Sequence, residues 1–237
     1  MSTAVPASPG KRRGVGQLPR GRHGLPRAFV VSNQRERIID ALAVVCAAKG
    51  YSAATVEDVI AQAGVSRRTF YDLFASKQEC FLVAYELVMD RVVRAVEHSY
   101  ASEDCAWPQW MSRLLQSLLS QLAAEPELAR LVMVDVLAAG QAALERRDVA
   151  LRRFEIFFDA GAISLPLSDH ERRLLARGVI GGLAEALYKR IAAGETDKLP
   201  DAGPDLLYCM LVPYLGHNRA RAASTQWAGA DLTASRR

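Results

Sequence analysis

Two arginines and a threonine in succession, Arg67-Arg68-Thr69, follow Ser66 and, two residues earlier, Gly64. Arginine carries a planar fork of donors that takes the paired acceptors of guanine, and threonine touches a thymine methyl or a base edge. Side chains of these types at the start of a short helix suit the major groove of duplex DNA. Tyr71 stands in the same stretch. Thr55 and Ser66 each open a helix, and a helix N-terminus offers free N–H groups and the positive end of its dipole to a phosphate. Lys77 adds a cation near the same surface. Taken alone, Arg67 and Arg68 could equally be a solvated helix face.

The elements that must hold these residues follow from periodicity. From Gln34 onward Ile38, Ile39, Leu42, Val45 and Cys46 recur at three- and four-residue steps, one apolar stripe that Gly50 ends. Thr55 with Asp58 starts a second helix in a capping-box-like arrangement, and Gly64 stops it. Ser66 caps a third, 67–74, in which Phe70 and Phe74 face inward. Ser76 with Glu79 opens a long fourth helix, from Lys77 to about Ser99. The second and third have the shape of a helix-turn-helix, whose second helix lies in the major groove while the first crosses the backbone. Further helices are expected at 107–123, 126–140, 142–163, 169–194 and 203–222, with Pro108, Pro126, Pro166, Pro200 and Pro204 at the breaks. No segment alternates like a strand. The expected fold is all-α, with about nine helices.

Charge is distributed unevenly. Residues 1–33 hold six basic and no acidic residues, whereas 81–216 hold 14 basic and 19 acidic. The basic block, Pro19-Arg20-Gly21-Arg22-His23-Gly24-Leu25-Pro26-Arg27, is rich in helix breakers and reads as a flexible arm. Such asymmetry suits an anionic partner met at the N-terminal end, or a solubilising tail. Four dispersed cysteines without CxxC pairing or an export signal read as reduced thiols in a cytoplasm. No apolar run is long enough to span a membrane. The four histidines stand at no metal-ligand spacing, and no P-loop, dinucleotide fingerprint or nucleophile elbow occurs. No cofactor, metal or catalytic site is expected, and so no enzyme. Cys105 is a weak candidate for a redox sensor.

The segment Gly-Val-Ser-Arg-Arg-Thr-Phe-Tyr-Asp-Leu-Phe-Ala-Ser-Lys at 64–77 resembles the signature of the TetR family of bacterial transcriptional regulators. The resemblance in strong motifs covers roughly 34–90. It implies phosphate contacts from Thr55, Ser66, Tyr71 and Lys77, and base or groove contacts from Arg67, Arg68 and Thr69. Three residues depart from the pattern. Ile60 stands where the family usually has Ala, and Asp72 and Leu73 stand where aromatic or His residues often reach phosphate. Compensation is expected from Arg20, Arg22 or Arg27 of the arm, placed in the minor groove as homeodomain arms place theirs.

The resemblance also implies a homodimer formed through the last two long helices, and an effector held in the C-terminal bundle. Gly178, Gly181 and Gly182 interrupt a helical pattern, which is costly unless another helix approaches closely. The last helix is apolar nearly all round, so Leu207, Met210, Leu211 and Tyr214 join those glycines as the expected dimer interface; an internal core is the alternative. The expected effector lining is Trp107, Trp110, Met111, Leu114, Met133, Leu137, Phe154, Phe157, Phe158 and Tyr188, residue types that also build ordinary cores. The expected organisation is an arm at 1–32, a helix-turn-helix domain at 33–78, an effector-binding and dimerisation domain at 79–222, and a tail at 223–237. The function so implied is a ligand-responsive repressor on a palindromic operator. The rivals are a small-molecule carrier and a non-specific nucleoid-type DNA binder.

Overall fold

The computed structural model describes residues 27–101, 105–163 and 165–227, and among them all regular structure is helical. Helices α1 (Arg27–Lys49), α2 (Val56–Ala63) and α3 (Arg67–Leu73) form a head. Helix α4 (Lys77–Ala101) leads out of it. The body consists of α5 (Trp107–Ala124), α6 (Pro126–Met133), α7 (Gln141–Arg152), α8 (Ile156–Ala162), α9 (Asp169–Ala192) and α10 (Gly203–Thr225). Short 3-10 stretches at Asp135–Ala138 and Thr196–Ala202 follow α6 and precede α10.

Local rules fix the head. Thr55 and Asp58 form a full capping box at the start of α2, and the Ser66 hydroxyl accepts the Thr69 N–H at 3.0 Å at the start of α3. Gly64 ends α2 at φ 63°, the left-handed region where glycine alone avoids a Cβ clash. Arg37 of α1 donates to the carbonyls of Ala63 and Gly64, tying α1 to that turn. The helices close over Ile38, Leu42, Phe70, Phe74 and Phe81, all buried. This core runs without a break into Leu131 and Val136, so the head rests on α6 and the 3-10 stretch after it. A second core, around Met111, Leu115, Leu119, Leu207 and Leu211, holds α5, α9 and α10 together.

Four elements differ from the periodicity. Helix α1 opens at Arg27 rather than near Gln34, so 27–32, assigned to the arm, are helical; no breaker lies between Pro26 and Gly50. The stretch 126–140 stops being α-helical at Met133, and the tighter 3-10 turn carries Asp135 inward. The stretch 142–163 breaks between α7 and α8, where the backbone bonds shorten to three-residue steps, Phe154 to Leu151 and Glu155 to Arg152. There Phe154 and Phe157 pack edge to face, 6.0 Å between centroids. Finally, α10 runs to Thr225, broken at Gly216 (φ 74°), and the Trp227 ring lies against Gly203, where any Cβ would collide with it. Residues 223–227, assigned to the tail, therefore pack on the body.

Candidate DNA-reading face and effector cavity

Helix α3 turns Phe70 into the core and leaves Arg67, Arg68, Tyr71 and Asp72 exposed on the other side. Each arginine already has an acidic neighbour. Arg67 donates to Glu57 of α2 at 2.5 Å and lies over the Tyr71 ring, 5.6 Å from its centroid. Arg68 stands 3.8 Å from Asp72, one turn along the same helix. Asp72, a departure from the family pattern, is thus a local counter-charge for Arg68. Such exposed pairs are worth little and part readily for a stronger anion. The Ser66 and Thr69 hydroxyls lie 2.9 Å apart, and Thr55 donates to Asp58 at 2.6 Å. All three sit at helix starts on the exposed side of the head.

Lys77 is half-buried and engaged within the chain. Its ammonium donates to the carbonyls of Tyr51 and Ala54 at 2.8 and 2.7 Å and sits 4.1 Å from the Tyr51 ring centroid. Three donors directed at two carbonyls and a ring face satisfy a loop, so Lys77 clamps that loop to the start of α4. The same loop is held from the body. The Tyr51 N–H donates to Asp135 at 2.9 Å, and Arg130 stands 3.9 Å from the other carboxylate oxygen. Burial pushes the Asp135 carboxyl above the usual range, against the opposing pull of the Tyr51 N–H and Arg130. Burial likewise raises the Cys46 and Cys80 thiols to about 12, which keeps them protonated and inert. Arg20 and Arg22 lie outside the described residues, and Arg27 opens α1.

In the body, a cavity of about 70 Å³ lies between α4, α5, α6 and α9. Leu114, Met133, Phe154, Phe157 and Phe158 line it, together with Val92, Leu118, Leu122, Val132 and Ile180, which the sequence did not single out. The other expected lining residues are elsewhere. Leu137 is 44% exposed on the 3-10 stretch, because the break at Met133 rotates it away from the bundle. Trp107 donates its indole N–H to the Phe157 carbonyl at 2.9 Å and packs on Tyr214, where it covers Gly161. Trp110 and Met111 are buried in the body core, and Tyr188 is half-buried on α9 away from the cavity.

An open groove of about 910 Å³ runs between α9 and α10, lined by Leu174, Gly178, Gly182, Leu206, Cys209 and Pro213 among others. Leu207, Met210, Leu211 and Tyr214 were expected on a dimer surface; they are instead buried within their own chain. An all-round apolar helix has two buried sides: Leu207, Leu211 and Tyr214 occupy the inner one, while Met210, also buried, lines the floor of the groove. Gly178, Gly181 and Gly182 face outward, and a Cβ added at any of them would meet nothing within 4 Å.

Residues 38–84 match the family model described as bacterial regulatory proteins, tetR family. The head is that of the TetR family. Many solved structures share the whole arrangement, which is a TetR-like fold. The FadR regulator of Bacillus subtilis, solved with stearoyl-CoA, superposes with a TM-score of 0.64 at 19% identity, over 76% of this chain and 98% of that one. TylP of Streptomyces fradiae, a TetR regulator, gives 0.59 at 20%, over 86% and 94%. RolR bound to resorcinol gives 0.56 at 17%, over 84% and 97%. No curated protein matches the chain.

Within the TetR-like head, the sequence missed Glu57 and Arg37, which hold α3 and the turn before it, and Tyr51, which holds the start of α4, all through partners ten or more residues away. No spacing rule signals those pairs. In the body it missed Asp135, an isolated carboxylate in an apolar stretch, whose isolation was the available signal. Among the described residues no cluster of three His, Cys, Asp or Glu could hold a metal, and no helix is long and apolar enough to cross a membrane.

Proposed function

We propose that this chain is a ligand-responsive, sequence-specific DNA-binding transcriptional regulator, a repressor that acts as a homodimer on a palindromic operator. The observation that carries the reading is the outward face of α3, with Arg67, Arg68 and Tyr71 exposed on a TetR-family head. Arg67 and Arg68 exchange Glu57 and Asp72 for base acceptors and Thr69 joins them in the groove, while Thr55, Ser66 and Tyr71 meet the flanking backbone. Arg20, Arg22 and Arg27 supplement them from the N-terminal side. Residues to 78 read DNA, and those from 79 to 222 receive an effector and dimerise.

The second copy sits on the α9/α10 groove. That groove is apolar, and two of the outward glycines, Gly178 and Gly182, line it with open space where a partner helix would pack. Two heads then span one helical turn, about 34–36 Å, and read an inverted repeat. The effector enters the body cavity, as stearoyl-CoA and resorcinol accompany the two ligand-bound neighbours. It favours a different head spacing and so shifts the population away from DNA. The 3-10 stretch after α6 adjoins both sites: Val132 and Met133 line the cavity, and Asp135 holds the head.

The test is selection of bound duplexes from a random pool, followed by sequencing. An enriched inverted repeat supports the reading. Binding without a motif favours the nucleoid-type reading, and no binding favours the carrier. With the selected duplex, Arg68→Ala and Tyr71→Ala should each weaken specific binding by about 1–3 kcal/mol. Deleting residues 1–27 should weaken binding and flatten its salt dependence.

A further inference from the structure

The body cavity restricts what it can receive. All sixteen described residues around it are Met, Val, Leu, Phe, Ile or Ala, with no hydroxyl, amide or charge among their side chains. A donor or acceptor buried there would lose its water without gaining a partner, a cost of roughly 2–7 kcal/mol. The buried part of a ligand is therefore hydrocarbon. The shape follows from the strips that face it. Leu114, Leu118 and Leu122 repeat at four-residue steps along α5, which at 1.5 Å per residue is a track ~12 Å long. Ile180 and Leu187 mark a similar length of α9. A slot between two such tracks suits a chain better than a disc. At about 70 Å³ it is smaller than the ~150 Å³ cavity that holds a benzene ring, so a chain enters as the walls give way. Met89, Met133 and Met210 are the walls best able to do so.

One mouth of the slot is polar. A surface cleft of about 210 Å³ between α7 and α9 has Leu151 and Ile180 as its floor, and both residues also line the cavity. Its rim carries Asp148, Arg152, Glu155 and Arg177. Asp148 lies 3.9 Å from Arg147, and Glu155 accepts from Arg177 at 2.7 Å, so both rim carboxylates are matched by a cation. Arg152 is exposed and makes no ion pair among the described residues. With Arg147 beside it counted, the rim carries one net positive charge, at Arg152, and its floor residues also line the hydrocarbon slot.

We propose that the effector is an anionic amphiphile, its hydrocarbon chain in the cavity and its anionic head at Arg152 in the α7/α9 cleft. This rests on the cavity being the effector site, and it names the class that site takes. Binding to the full-length protein is measured without DNA, by titration calorimetry with native mass spectrometry for stoichiometry. The probes are octanoate, decanoate, dodecanoate and dodecanol. The expected result is one dodecanoate per chain, with affinity rising about four-fold per added CH₂ from octanoate upward. Arg152→Glu should weaken dodecanoate at least ten-fold and leave dodecanol unchanged. Ala184→Leu, which narrows the slot, should weaken both; Leu118→Phe repeats that test, each variant being checked by circular dichroism. No dodecanoate binding, affinity independent of chain length, or an equal response of acid and alcohol to Arg152→Glu would overturn the proposal. Because no DNA is present, such a failure is separable from failure of the regulator reading, which the duplex selection alone decides.

Discussion

In the head, the polar groups that helices leave open find partners within the head, many of them three or four residues away. Thr55 and Asp58 cap each other, Ser66 takes Thr69, and Arg67 and Arg68 hold carboxylates until something better arrives. In the body, the apolar groups are the ones left over. A groove lies open along α9 and α10, three glycines face nothing, and a cavity in the middle has no polar atom to offer. The head is complete as a single chain and needs only a surface to read. The body leaves apolar space in two places, one outside and one inside. Under the proposed function, recognition of DNA depends on the side-chain geometry of the head, and regulation on packing in the body that other molecules complete.

The sharpest way to break this contrast is to open the head core. Phe70→Ala removes a fully buried ring, and a loss of about 3–5 kcal/mol in urea denaturation is expected. The body cavity tolerates far smaller changes, since Met side chains around it can refill space.

Next in size is the joint between the regions. Asp135→Ala leaves the buried Tyr51 N–H without its acceptor and should cost about 1–3 kcal/mol. Asp135→Asn keeps an acceptor and removes the buried charge, so it should be close to neutral. Equal losses in the two variants would show that the hydrogen bond is not what joins head to body.

Cap removal is smaller. Thr55→Ala should cost about 1 kcal/mol, seen as a lower urea midpoint with unchanged slope. Gly182→Ala sharpens the contrast by changing sign. In the dissociated chain it should add about 0.5–1 kcal/mol, because the helix gains propensity and the new methyl meets nothing. In sedimentation equilibrium it should weaken self-association, because the partner helix loses its close approach.

The two carboxylates give opposite responses to acid. Hydrogen bonds from Lys49 and Thr55 hold Asp58 well below the usual carboxylate range, so its stabilisation is present above ordinary carboxylate pH values and fades as pH falls. Asp135 is raised by burial, so its contribution is full in acid and fades as pH rises through that raised value. Stability measured downward from pH 7 should first gain from Asp135 and then lose from Asp58. Asp135→Asn should remove the share of the gain due to Asp135 and leave that of Asp40, whose carboxyl burial also raises.

The head was legible because its signals are local. Gly64, Ser66 and the Thr55/Asp58 pair each act within three or four residues, so order in the sequence and order in space coincide. The clamp made by Lys77 was not legible for the opposite reason: the carbonyls it serves are 26 and 23 residues back, and nothing in the spacing announces them. The last helix showed the same limit. Its apolar residues announced burial, but not that Leu207 and Leu211 face inward while Cys209 and Pro213 line the groove. In the cavity, Leu114 and Phe157 were found by type, whereas Leu118 and Ile180 became lining only once α5 and α9 were set side by side.

The chain has three tryptophans, and all of them, Trp107, Trp110 and Trp227, stand in the body. Indole emission excited beyond tyrosine absorbance is therefore a reporter for one region alone. Trp110 lies 5.3 Å from Phe157, a cavity-lining ring, so occupancy of the cavity should shift that emission while the head stays dark. A melt followed by emission and one followed by far-ultraviolet dichroism will coincide only if head and body unfold together.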